Sequence, residues 1–149
     1  MALDTVLVGV ADTDEARADA LISAATDIAT PADASVVLFH AFTEEDFESS
    51  VSRLDFESAS DADPDQVARR LGSVRRISSE LGDAGLEVDV RGAVGDPGEE
   101  IVDAAERADA DLIFVGGRGR SPTGKAVFGS TAQDVMIDST VPVVYVRGE

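Results

Sequence analysis

The chain of 149 residues contains no cysteine, which excludes disulfides and thiolate metal sites. It has a single histidine, His40, so no histidine cluster is available to gather a metal. No apolar run approaches the roughly 20 residues that a membrane-spanning helix needs. The N-terminus, Met1-Ala2-Leu3-Asp4, has no basic stretch ahead of an apolar one, so no signal peptide is expected and a cytoplasmic location is. Basic residues are scarce: twelve stand against thirty acidic ones, for a net charge of −18, and only Lys125 among the twelve is a lysine. Such a surface repels DNA, RNA and anionic lipid, which removes nucleic acid and membranes from the expected partners.

The acids are spread along the whole chain rather than gathered in a tail. An even spread reads as adaptation to a salt-rich cytoplasm, with an acidic partner-binding protein as the alternative. Near 1 M salt the Debye length falls to about 3 Å, so self-repulsion is screened while hydrated carboxylates keep the chain soluble.

What is present is a regular alternation of apolar runs and helical patterns. Thr5–Val10 and Ser35–Phe42 are near-continuous apolar runs, as expected of strands covered on both faces. Between them, Glu15–Ala29 carries Ala20, Leu21, Ala24, Ala25 and Ile28 at helical spacing, and Pro31 is expected to end that helix. Thr43–Asp63 is polar and serine-rich and reads as a surface loop with a short helical piece. Asp65–Leu81 reads as a second helix, flanked at its end by Gly82 and Gly85. Leu86–Val90 alternates apolar and acidic residues, as a half-exposed edge strand does. Pro97 suits the first turn of a third helix, Glu99–Ala108. Leu112–Val115 is a fourth strand, Ser130–Ile137 a fourth helix and Val141–Val146 a fifth strand. Pro142 places that last strand at or near an edge, or marks its start. The alternation predicts one α/β domain over residues 1–149: a doubly wound, Rossmann-like, five-stranded parallel sheet flanked by four helices. Ligands of such sheets bind at the carboxyl ends of the strands, where strand order reverses.

The most informative stretch is Asp111–Thr131, a strand, a glycine-rich loop and a helix start in sequence. Glycines let backbone N–H groups approach an anion, and the helix end adds unpaired donors. Gly116 and Gly119 are separated by two residues, and nine more precede Gly129-Ser130, giving G-x2-G-x9-G-[S/T]. With this pattern the sequence resembles the universal stress protein family in its ATP-binding branch. Asp12 after the first strand, Phe39-His40-Ala41, Val94-Gly95-Asp96-Pro97 and the closing Val141-Pro142-Val143-Val144-Tyr145-Val146 extend the resemblance along nearly the whole chain.

The resemblance implies strand order 3-2-1-4-5, the adenine nucleotide alpha-hydrolase-like arrangement, and bound ATP, with AMP and ADP as alternatives. It implies that Val115 and Gly116 meet adenosine, and that Gly119, Gly129 and Ser130 hold the phosphates with help from Thr131 and Ala132. Val10 and Ala41 would contact the base, and Asp12 would accept a ribose or adenine hydrogen bond. It also implies a homodimer through Val141–Val146. Arg118 and Arg120 are added on chemical grounds, because loop guanidiniums pair with phosphate oxygens. Any Mg²⁺ would be held mainly by phosphates and water.

Two features compete with this reading. Gly119–Ala126 contains GxxxxGK, but Ala126 stands where a P-loop needs Ser or Thr for Mg²⁺, and Pro122 removes a backbone donor. A P-loop is therefore not expected, although Lys125 remains a candidate phosphate contact. His40 is expected to be a structural, hydrogen-bonded histidine rather than a catalyst. No strong general base stands out near the phosphates, so slow or absent hydrolysis is expected. The alternatives are a dimeric interaction module without nucleotide, and a slow ATPase or nucleotidyl-transferring relative.

Overall fold

Strand β1 (Thr5–Gly9) forms the centre of a five-stranded parallel sheet in the computed structural model. The structure describes residues 3–11, 15–56, 61–117, 119–120, 126–127 and 129–147, with backbone alone at 15–16, 119–120 and 126–127. On one side β1 pairs with β2 (Ser35–Phe42), which pairs with β3 (Val88–Val94). On the other side it pairs with β4 (Leu112–Gly117), and β4 with the last strand, β7 (Val143–Arg147). The resulting order β3-β2-β1-β4-β7 is the expected 3-2-1-4-5, because β5 (Gly119–Arg120) and β6 (Ala126–Val127) form a separate antiparallel ribbon inside the glycine loop. Chain direction of winding reverses between β1 and β4, which sets the switch point there.

The sequence of β1 explains its position. Val6, Leu7 and Val8 are fully buried, and only a strand covered on both faces buries consecutive side chains. One face packs Val6, Val8, Leu38 and Phe114 beneath α1 (Glu15–Ala32), α2 (Glu44–Arg53), α3 (Pro64–Arg70) and α4 (Gly72–Asp83). The other packs Leu7, Phe39, Ile113 and Val115 beneath α5 (Pro97–Arg107) and α6 (Ser130–Asp138). Both edges are as the patterns predict: β3 is half-exposed, and β7 starts just past Pro142.

Six helices are present among the described residues, rather than the four expected. Thr43–Asp63 is less of a loop than its polarity suggests. Thr43 caps α2 by accepting the Asp46 N–H, and Phe47 and Val51 anchor the helix in the core. The Asp65–Leu81 pattern is two helices, broken at Leu71, whose ψ of 135° is extended. The break follows from how α3 is tied down. Asp63 caps it, Asp65 Oδ1 accepts the Gly92 N–H at 2.8 Å, and the Pro64 carbonyl occupies the space a Cβ on Gly92 would fill. Thus β3 runs through Gly92 to Val94, beyond the Val90 expected from its alternation, because Gly92 lets a helix backbone rest on the strand. Pro31 lies inside α1, removing its own backbone donor, and the helix runs one residue past it to Ala32.

Four helices end the same way. At α1, Asp33 N–H bonds to Thr30 O and Ala34 N–H to Ala29 O; α2, α4 and α5 repeat the pattern at Asp55, Gly85 and Asp109. These are Schellman closures with a left-handed residue, at φ values of 53°, 61°, 91° and 52° respectively. Glycine is the usual occupant; here three of the four are aspartates.

Candidate functional site

The carboxyl ends of β1, β2 and β4 open into a crevice of about 740 Å³, within the range of small-molecule sites. Its floor is built from strand ends. Val10, just past β1, is 3% exposed; its N–H donates to the Phe39 carbonyl, and its own carbonyl accepts from His40 Nδ1 at 2.6 Å. A carbonyl only accepts, so His40 carries its proton on Nδ1. It also stands edge-on to Phe42, with ring centroids 4.4 Å apart. This is the structural histidine expected from the sequence: it pins the end of β2 to the end of β1.

Six of the sequence-predicted residues line this single cavity: Val10, Ala41, Val115, Gly116, Thr131 and Ala132. They come from four separate elements, and parallel pairing at the switch point is what assembles them. Gly129 and Ser130 are exposed at the start of α6, immediately before Thr131. Gly119 pairs with Val127 in the β5–β6 ribbon, and Arg120 with Ala126. Asp12, Arg118 and Lys125 lie outside the described residues, as does the side chain of Arg120.

The α6 N-terminus differs from most others in the chain. Helices α2, α3 and α5 are capped by the side chains of Thr43, Asp63 and Asp96. Helix α6 has Gly129 as its N-cap and no side-chain cap among the described residues, and its first turn carries no acid. Its leading N–H groups therefore keep their donor capacity and the positive end of the helix dipole. Gly129 has φ −65°, a value open to any residue, and an added Cβ would meet nothing within 4 Å among the described residues. Among the described residues, neither backbone conformation nor packing there calls for glycine. What a glycine does provide is unobstructed approach to the backbone N–H groups from outside.

Sequence reasoning missed one wall of the site. Arg17, early in α1, lays its side-chain stem against Gly116, with Cγ and Cδ each 3.4 Å from the position of an added Cβ. Arg53, Arg70 and Arg76 line the same crevice from α2, α3 and α4. Arg76 pairs with Asp19 and Glu80. Its hydrogen bond to Asp19 pushes its pKa above the ordinary value against the opposing effect of burial, with Glu80 adding to the rise. No sequence motif marks these residues, because α1, α2 and the α3–α4 elbow meet only in the folded chain.

A family model described as the universal stress protein family matches residues 2–147. A universal stress protein of Mycolicibacterium smegmatis is 36% identical over 91 residues, covering 60% of this chain and 70% of that one. The structure of universal stress protein MJ0577 of Methanocaldococcus jannaschii superposes with a TM-score of 0.74 at 26% identity, over 100% of this chain and 99% of that one. The universal stress protein from Archaeoglobus fulgidus in complex with dAMP shares the fold, with a TM-score of 0.69 at 22% identity over 99% and 100% of the two chains.

Proposed function

The chain belongs to the universal stress protein family, and we propose that it acts in stress response as an adenine-nucleotide-binding protein, with ATP as the ligand. The observation that carries this reading is the uncapped α6 N-terminus behind Gly129, set beside the Val10, Ala41, Val115 and Gly116 crevice. On this reading the base lies against Val10 and Ala41, adenosine meets Val115 and Gly116, and the phosphates meet Gly129, Ser130 and the first turn of α6. A helix N-terminus with open donors suits a phosphate chain. The Archaeoglobus fulgidus relative in complex with dAMP supports the same ligand class.

Mg²⁺ would enter with the nucleotide, held by phosphates and water. The protein binds rather than turns over its nucleotide, in the cytoplasm, as a homodimer joined along the β7 edge, where Val143, Val144 and Tyr145 are half-buried in the single chain. An open strand edge of this kind needs a cover.

The test is mass spectrometry of nucleotide released from the purified protein, with calorimetric titration of ATP, ADP and AMP. Retained affinity in a Gly129→Val, Ser130→Ala double variant would remove the assigned phosphate cradle. Steady phosphate release would replace binding by hydrolysis, and a monomer by light scattering at molar KCl would remove the β7 dimer.

A further inference from the structure

The crevice continues past the residues assigned to nucleotide. Its lining also takes in the end of α2 and the α3–α4 elbow, a lobe with Arg53, Arg70 and Arg76 beside Ser49 and Ser73. Three of the twelve basic residues thus line this part of one cavity, in a chain of net charge −18. Arg91 and Arg107, outside the cavity, lie beside carboxylates: Arg91 pairs with Asp65 and Asp89, and Arg107 reaches Glu100 and Asp103. Within the lobe Arg76 pairs with Asp19 and Glu80. Arg53 has no ion pair among the described residues. Arg70 lies over the Phe56 ring, 4.6 Å from its centroid, and donates to the Leu54 carbonyl at 3.4 Å. Stacking and a carbonyl anchor orient the guanidinium without neutralising it. Asp46 is the one carboxylate among the described lining residues.

Arg53 and Arg70 each fall in the last turn of a helix, where a cation complements the dipole. That accounts for each residue on its own helix. It does not account for cations from α2, α3 and α4 lining one concavity in a chain of net charge −18, where close-set cations raise the local positive potential. Gly72 and Ser73, the first turn of α4, line the same lobe, and that helix has no side-chain cap and no acid in its first turn.

We infer that this lobe is a second anion subsite, built for a phosphate-type group and continuous with the nucleotide end of the crevice. The inference rests on the nucleotide reading only for what occupies the other end. The phosphate has two possible carriers: a second phosphorylated arm of one long ligand, such as a dinucleoside polyphosphate, or a separate phosphate compound bound beside the nucleotide.

The experiment titrates the full chain and an Arg53→Gln, Arg70→Gln variant with ATP, pyrophosphate and diadenosine tetraphosphate at one fixed KCl concentration, since salt screens such contacts. Arginine Nε–H NMR signals are followed in parallel. Pyrophosphate is expected to shift the signals of Arg53 and Arg70, and the variant to lose about tenfold in affinity for pyrophosphate or diadenosine tetraphosphate while ATP changes less than about twofold. A gain for diadenosine tetraphosphate over ATP that vanishes in the variant identifies the long ligand. Pyrophosphate binding that adds to ATP binding, with no gain for the dinucleotide, identifies the separate one. If the variant binds all three ligands as the parent does and pyrophosphate moves neither arginine signal, the subsite is overturned. If ATP fails to bind but pyrophosphate binds and weakens in the variant, the nucleotide reading falls and the subsite stands. Arg53→Gln alone, at an exposed position, serves as the second variant if loss of the stacked Arg70 unfolds the chain.

Discussion

Tyr145 fills the space that a side chain on Gly117 would need. Its hydroxyl is the nearest heavy atom to the position of an added Cβ, and its ring Cζ lies 2.6 Å from that point. Gly117 closes β4, next to the crevice residue Gly116, and Tyr145 pairs with Val115 in β7. The last strand thereby sets the limit on where the glycine loop can begin.

Gly117→Ala is expected to destabilise the chain by about 1–3 kcal/mol, the usual range for overpacking. In a Tyr145→Val background the same change is expected to cost less than about 0.5 kcal/mol. Urea unfolding of the two single variants, the double variant and the parent gives the coupling directly, because the cycle cancels whatever else Tyr145 contributes. Equal costs in both backgrounds would show that Tyr145 is not the obstacle.

Gly129 presents the opposite case. With φ −65° and open space around it among the described residues, Gly129→Ala is expected to leave stability within about 0.5 kcal/mol of the parent, or slightly above it, because alanine restricts the unfolded chain. Affinity for ATP is expected to fall about tenfold as the methyl group intrudes on the phosphate approach. Thermal melts and calorimetry separate the two effects, and a loss of stability with unchanged affinity would make Gly129 a structural glycine.

The three aspartates at left-handed helix ends carry two separate penalties. Each adopts a conformation suited to glycine, and each sets a negative charge at the negative end of a helix dipole. Replacing Asp33, Asp55 or Asp109 by Gly is expected to stabilise the chain by roughly 0.5–1.5 kcal/mol apiece in low salt. Asp→Asn at the same positions removes the charge alone, so its benefit should shrink in molar KCl while part of the glycine benefit persists. Melting temperatures across a KCl series test both claims. They also test whether the parent itself is stabilised by salt, as a net charge of −18 requires if self-repulsion matters.

Gly92→Ala is expected to cost at least about 1–3 kcal/mol, because the obstacle is the Pro64 backbone, with its carbonyl carbon 2.9 Å from the added Cβ. The first turn of α3 must lift from β3, breaking the Gly92–Asp65 hydrogen bond. Hydrogen exchange should then show faster exchange at Gly92 and in α3 than in β1. Unchanged protection would mean that α3 adjusts without losing its seat.

The sheet was legible because buried parallel strands write continuous apolar runs, as Val6-Leu7-Val8 and Leu112–Val115 do. The crevice was legible because alternating strands and helices fix where a doubly wound sheet opens, and Val10, Ala41, Val115, Gly116, Thr131 and Ala132, all named from the sequence, line it. The α3–α4 break was not read, because the apolar positions Val67, Leu71, Val74, Ile77 and Leu81 keep helical spacing across it. Its cause lies in Gly92 and Pro64, which are distant in sequence. The arginine lobe was invisible for a related reason: Arg17, Arg53, Arg70 and Arg76 sit in unremarkable helical patterns, and only packing brings them to one cavity.

The place of β1 between β2 and β4 also bears on how the chain is made. Val6 pairs with Leu112, so one edge of the central strand has no sheet partner until most of the chain has left the ribosome. Some 70 residues separate the end of β2 from the start of β4. At roughly 5–20 residues per second, the first two strands wait several seconds as an unfinished apolar sheet. Acidic residues outnumber basic ones through that interval, and like charge on neighbouring nascent chains opposes their association.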